Sequence, residues 1–342
     1  MLATLLLATV FALDLAPTIK AHDVPALAVV AVNGAGEVQL QSHAGITFEG
    51  GEPVDADSRW HVGSCTKSIT ALLAATCVRD GLLDWDTRAG DVLDDLAEKP
   101  LGEATLLQLL THTAGTAPVL DHMLIVGPPS KDELRRQRRI WLKHTGGDAA
   151  TPPGEAFRYS NAGYIIAGMM VEQVTERSWE QAINSRVFEP LGVKTFGFGA
   201  PPEGHPRGHL GDESIDPASP NSDNRPILAP AGTVHMSARD FAIMAAVHLR
   251  DSVAERLKIA DEDWAVLHKA KLDDYAPGLV VAKRPWGGGT VFTHDGSNTL
   301  WYATMWIAPE KDIAIVACSN AFAPEAVNEA IVLALREIEL IE

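Results

Sequence analysis

β-rich apolar runs lie near both ends of this 342-residue chain, and helical patterns fill the stretch between them. Residues 25–32 read PALAVVAV, the turn residues Asn33 and Gly34 follow, and a second strand covers 38–42, so a hairpin is predicted. Near the other end, strands over 279–281 and 290–294 flank the turn at 286–289, WGGG. Two further strands, 301–307 and 313–318, are joined by a turn over 308–312. Loops this short join strands antiparallel. The economical fold is therefore α/β (α+β): one antiparallel sheet assembled from both ends and covered by terminal helices, with an all-helical insert. That assigns 1–62 and 229–342 to a sheet domain and 63–228 to a helical domain, with any cleft between them.

The helical patterns are specific. Residues 64–79 are apolar nearly all round and Gly81 follows as a stop, which predicts a buried central helix. A short helix is expected over 105–112 and strong helices over 161–177 and 179–188. The run 237–240, SARD, reads as a capping box opening a helix to Leu249. Residues 323–341 place Val327, Ile331, Ala334, Ile338 and Ile341 on one face. The basic stretch 131–143, with Arg135, Arg136, Arg138 and Arg139, reads as a surface helix, and the acidic stretch 80–98 as a solvated face. Residues 200–230, rich in Pro, Gly and Asp, form a long irregular segment of the kind that often carries function.

Bulk properties narrow the partners. A chain this long with 46% hydrophobic residues buries a core without disulfides or a structural metal. A net charge of −17 argues against nucleic acid and anionic membrane surfaces. Cys65, Cys77 and Cys318 are odd in number, lie in apolar surroundings and form no C-x-x-C, so buried thiols are expected. The first thirteen residues, MLATLLLATVFAL, are of signal-peptide length but lack a leading Lys or Arg, and are too short to remain as a membrane anchor. Two readings stay open: a signal segment, hence a periplasmic or secreted protein, or a buried N-terminal helix in a cytoplasmic one. Stable membrane insertion is not expected, and the oligomeric state is left open.

Residues 61–67 read HVGSCTK. An S-x-x-K alone carries little weight, since about one copy is expected by chance in a chain of this length. Its context raises it. Ser64 and Lys67, three apart on a helix, share a face. Ser64 would lie in the positive field of the helix start, and burial would lower the Lys67 pKa until a neutral amine can accept the hydroxyl proton. At 157–161, FRYSN, a turn before a helix could aim Tyr159 and Asn161 at a cleft, Tyr159 to shuttle a proton and Asn161 to bind an amide or ester. At 293–298, THDGSN, His294 could donate to a substrate or relay a proton. Gly296 would let the substrate approach the backbone, and the Ser297 amide could join that of Ser64 as an oxyanion hole. Cys65 reads as packing.

The order S-x-x-K, Y-x-N, H-x-G resembles the penicillin-recognising serine hydrolases, which include class C β-lactamases, D-alanyl-D-alanine carboxypeptidases and family VIII carboxylesterases. The connecting text is similar as well: LLQLLTHTAGT at 106–116, a long run over 151–193, and LAPAGTVHMSARDFA at 228–242. The resemblance covers roughly 24–335. It implies a β-lactamase/transpeptidase-like fold and acyl-enzyme chemistry on a small ester or amide, with no metal and no cofactor. Ser64 would be the nucleophile, Lys67 the base and Tyr159 the proton shuttle. Asn161 would position the substrate, His294 would stand where many relatives carry lysine, and the Ser64 and Ser297 amides would hold the oxyanion.

The third motif departs from the lysine-threonine-glycine form. Histidine is mostly uncharged near neutral pH, and Asp295, if it faced the cleft, would repel a carboxylate. An esterase is therefore favoured over a β-lactamase or D-alanyl-D-alanine carboxypeptidase. The rival of another class is a non-catalytic binding module of the same fold. A metal site from Glu203, His205, His209 and Asp212 lacks an H-E-x-x-H pattern. A G-x-S-x-G elbow at Ser64 fails because residue 62 is valine.

Overall fold

The computed structural model describes residues 11–117, 131–143 and 149–342. Seven strands form the main sheet: β1 Ala26–Val32, β2 Val38–Gly45, β3 Tyr275–Ala276, β4 Leu279–Arg284, β5 Gly289–Ser297, β6 Tyr302–Ala308 and β7 Ile313–Ser319. Their order is β2-β1-β7-β6-β5-β4-β3, antiparallel throughout. The two chain ends meet where β1 pairs with β7, Val29 opposite Ala317 and Val30 opposite Val316. The longer helices are α1 Ala16–His22, α2 Thr66–Arg79, α3 Lys131–Trp141, α4 Asn161–Thr175, α5 Ala238–Ala246 and α6 Pro324–Glu337.

Every residue of β1 and β7 is buried. On β1, Ala26, Ala28, Val30 and Val32 enter one apolar cluster, and Leu27, Val29 and Ala31 enter the other. Successive strand side chains point to opposite faces, so a strand apolar at every position needs a layer on each side. Helices α1 and α6 supply one layer, α6 with the inward face of Val327, Ile331 and Ala334 that its spacing predicts. Helix α5 covers the other face against β1, β6 and β7. Helix α2 is buried from Thr66 to Cys77, as its apolar circumference requires, and packs against α4. All three cysteines are free and buried. Among the described residues, no helix is long and apolar enough to cross a membrane. Of the N-terminal apolar segment, residues 1–10 lie outside the described residues.

Two local expectations change, the capping box at Ser237 and the surface reading of the basic helix α3. Ser237 does cap α5 by accepting the Asp240 N–H at 3.2 Å. The Asp240 carboxylate does not return the bond; it takes the N–H groups of Lys194 and Thr195 and the Thr195 hydroxyl. The candidate metal ligands of the 200–230 segment are not gathered: Glu203 pairs with Arg207, His205 accepts the Arg59 N–H, and His209 Nδ1 donates to the Asn320 carbonyl. The basic helix α3 is not wholly a surface element. Arg138 is fully buried, its guanidinium between Glu172 and Glu180, and Glu172 also accepts the Trp179 N–H at 2.9 Å. Burial alone would oppose that charge, and the two carboxylates hold the guanidinium pKa above its usual value.

One consequence can be measured. Replacing one member of a buried ionic triad leaves the others uncompensated, at a cost of about 3–5 kcal/mol. Arg138→Met should lower unfolding stability by about that amount in urea, and the added changes Glu172→Leu and Glu180→Leu should restore much of it. A single variant as stable as the parent would contradict this assignment.

Candidate active site

Ser64 lies in the single turn Gly63–Cys65 that opens directly into α2. One helical turn on, Lys67 is completely buried. Its ammonium nitrogen Nζ lies 3.0 Å from Ser64 Oγ, 2.8 Å from Asn161 Oδ1 and 2.8 Å from the Ala231 carbonyl. Asn161 is the first residue of α4, and Ala231 belongs to the short helix Ala229–Gly232. Burial pulls the Lys67 pKa down to about 7.

The partners decide where the lone pair goes. An ammonium can donate to all three oxygens, whereas a neutral amine has two protons to give. The Asn161 and Ala231 oxygens only accept; the Ser64 hydroxyl can donate. The neutral amine therefore gives its protons to Asn161 and Ala231 and turns its lone pair to Ser64. Once protonated, the amine has all three acceptors, with the rings of Tyr159 and Tyr164 at 4.8 and 5.5 Å.

Tyr159 stands in the loop before α4, its ring centroid 4.8 Å from Lys67 Nζ. Burial lifts its phenol above the ordinary value, so it is a protonated phenol rather than a phenolate. The residue is nonetheless 39% exposed, enough to meet a ligand. Two groups hold it from behind. Ser160 caps α4 through Ala162 N–H, and its own N–H donates to His112 Nδ1 at 3.1 Å. The His112 ring packs at 4.2 Å from that of Tyr159 and at 4.7 Å from that of Tyr275. Burial drives the His112 pKa down to about 2, so it is a neutral support.

The end of β5 passes over the Ser64 turn. A Cβ on Gly296 would fall 2.0 Å from the Val62 carbonyl and 2.8 Å from Ser64 N. A Cβ on Gly63, whose φ is +50°, would fall 2.2 Å from Ser297 N. Two glycines thus let two backbone segments touch and bring the Ser64 and Ser297 amides to one spot. Gly296 is bare to fit its own chain, a tighter requirement than the substrate approach expected of it. The Ser297 hydroxyl turns away, donating to the Trp301 carbonyl and accepting the Thr299 N–H, which leaves its amide as the group beside Ser64.

His294 differs most from expectation. It is buried, with Nδ1 donating to the Asp295 carbonyl at 2.6 Å and Nε2 accepting the Tyr275 hydroxyl at 2.8 Å. Both ring nitrogens are engaged, so the geometry provides neither donor nor cation to a substrate. Burial and the nearby Lys67 push its pKa down to about 3. Asp295 lies on the opposite face of β5 and accepts the Thr304 hydroxyl at 2.6 Å, so it does not charge the cleft. Cys65, beside Ser64, donates its thiol to the His294 carbonyl, and burial holds its pKa well above the usual value.

His112, Tyr275 and the Ala231 carbonyl carry no signal of their own in the sequence. The first and last lie inside the strings that carry the family resemblance, whereas nothing singles out Tyr275.

The sequence profile of the family described as Beta-lactamase matches residues 12–338. A Penicillin-binding protein 4 from Amycolatopsis lactamdurans is 30% identical over 319 residues, 87% of this chain and 81% of that protein. A lovastatin esterase from Penicillium rubens is 26% identical over 210 residues, 55% of this chain and 51% of that one. The crystal structure of a class C beta lactamase from Rhodobacter sphaeroides superposes with a TM-score of 0.75 at 22% identity, covering 95% of this chain and 97% of that one. At that identity the likeness speaks for the fold, which is the β-lactamase/transpeptidase type. The chain belongs to the beta-lactamase family, whose members include serine hydrolases.

Proposed function

We propose that this protein is a serine hydrolase that works through an acyl-enzyme on small esters lacking a carboxylate beside the scissile bond. The single observation behind the hydrolase reading is the buried Lys67 Nζ lying 3.0 Å from Ser64 Oγ, with its two other oxygen neighbours able only to accept. In acylation, Lys67 takes the Ser64 proton as Oγ attacks the carbonyl carbon. The carbonyl oxygen becomes an oxyanion between the Ser64 and Ser297 N–H groups. The Tyr159 phenol gives a proton to the departing alkoxide, and the proton held by the Lys67 ammonium, whose Nζ lies 4.8 Å from the Tyr159 ring centroid, restores the phenol. In deacylation, water attacks the ester carbon, its proton returns by the same groups, and Ser64 leaves reprotonated.

The preference for esters rests on His294. At this position a lysine would offer a permanent charge to a substrate carboxylate. Here a neutral imidazole faces inward to Tyr275. Asp295 adds no repulsion from its opposite face, so the preference follows from the missing attraction alone. The lovastatin esterase among the relatives is in keeping with it.

Three outcomes are expected. A fluorophosphonate should add its mass to the wild type and not to Ser64→Ala; equal labelling of both would remove Ser64 from its role. With p-nitrophenyl butyrate, kcat/KM should rise with pH through about 7, because the free amine is the active form. A flat profile across the neutral range would contradict Lys67 as base. In a side-by-side panel, p-nitrophenyl esters should be turned over faster than nitrocefin or a D-alanyl-D-alanine peptide. Faster nitrocefin turnover would reverse the substrate assignment and leave the nucleophile standing.

A further inference from the structure

The two oxyanion donors belong to segments far apart in sequence, and a third segment ties them together. His61, completely buried, ends the strand Arg59–His61, just before the Ser64 turn. Its Nδ1 accepts the Gly63 N–H at 3.1 Å. The imidazole proton therefore sits on Nε2, which stands 2.8 Å from Asp223 Oδ1 as a close polar contact off the line of an aligned hydrogen bond. The same Asp223 oxygen accepts Asn298 Nδ2 at 2.7 Å. Asn298 follows Ser297, and its own Oδ1 accepts the N–H groups of Leu300 and Trp301, closing the turn after β5. The Trp301 indole stacks on the His61 ring, centroids 5.5 Å apart.

We infer that His61, Asp223 and Asn298 form a latch that positions the oxyanion hole, with Asp223 as its keystone. One carboxylate oxygen holds both halves. Through His61 it anchors the N–H of Gly63, whose left-handed conformation sets the direction of the Ser64 amide. Through Asn298 it anchors the turn that carries the Ser297 amide. Asp223 comes from the long irregular 200–230 segment, so that loop reaches the oxyanion donors through His61 and Asn298. Preset donors matter most where charge develops, in the transition state, and less in ground-state binding. These three are positioning residues. The inference rests on the acyl-enzyme reading only for its kinetic consequence.

The test uses the full chain with Asp223→Ala, Asp223→Asn and Asn298→Ala. Asparagine keeps an oxygen where Oδ1 stands and should retain most activity. Asp223→Ala and Asn298→Ala should each lower kcat for p-nitrophenyl butyrate about ten- to a hundredfold with KM little changed. Inhibition by phenylboronic acid, whose tetrahedral adduct uses the same amides, should weaken by a similar factor. Amide hydrogen exchange at Gly63 and Ser297 should speed up in both alanine variants whether or not an ester is hydrolysed. Unchanged exchange would overturn the latch. So would Asp223→Ala with parental kcat, or a loss of kcat that follows the unfolded fraction while boronate inhibition is unaltered. An inactive wild type with fast exchange in the variants would instead sink the hydrolase reading and leave the latch intact.

Discussion

A lysine side chain buried to the nitrogen is the constraint around which this molecule is arranged. A charged amine without partners in an apolar interior is costly, and the two usual remedies are neutralisation and a full set of acceptors. This site uses both. Burial brings the Lys67 pKa to about 7, and oxygens from three separate elements surround it: Ser64 at the start of α2, Asn161 at the start of α4, and Ala231 of a short helix that packs on both. Two of these oxygens cannot donate, so proton accounting alone directs the free amine at Ser64. The preference comes from which atoms are present, and no strain is needed to produce it.

The sheet contributes a strap and, through Tyr275 and His294, half of a wall. The strap is the end of β5, which lies so close to the Ser64 turn that neither Gly63 nor Gly296 has space for a side chain. The wall is a succession of rings: Tyr159 and Tyr275 lie tilted against His112, and Tyr275 meets His294 edge to face. Both histidines there are held neutral by burial, so Lys67 is the titrating group of that wall near neutral pH. This division of labour, one titrating amine among neutral supports, keeps the electrostatics of the cleft simple.

Much of the architecture was legible in the sequence because it is periodic. Continuous apolar runs mark β1 and β7, and an apolar circumference marks α2, so a sheet built from both ends around a central helix follows from pattern alone. The proximity of Ser64 and Lys67 is likewise local, one helical turn. What escaped depends on pairings between distant positions with no periodic trace. Arg138 sits among other basic residues on a helix that reads as a surface one, and only Glu172 and Glu180 across the fold explain its burial. His294 was expected to face a substrate, but Tyr275 takes its free nitrogen from a neighbouring part of the sheet. Asp223 looked like one acid among many in a polar loop, and its meaning appears only beside His61 and Asn298.

The central claim is that one deeply placed amine is about half free base at neutral pH, oriented on a hydroxyl. Selective labelling of lysine side chains with carbon-13 at Cε lets each amine be titrated by NMR, with Lys67→Arg used to assign the resonance. The account predicts a single resonance with a midpoint near 7 that disappears in that variant, well apart from surface lysines at about 10.4. A Lys67 resonance that titrates together with the surface lysines would contradict it.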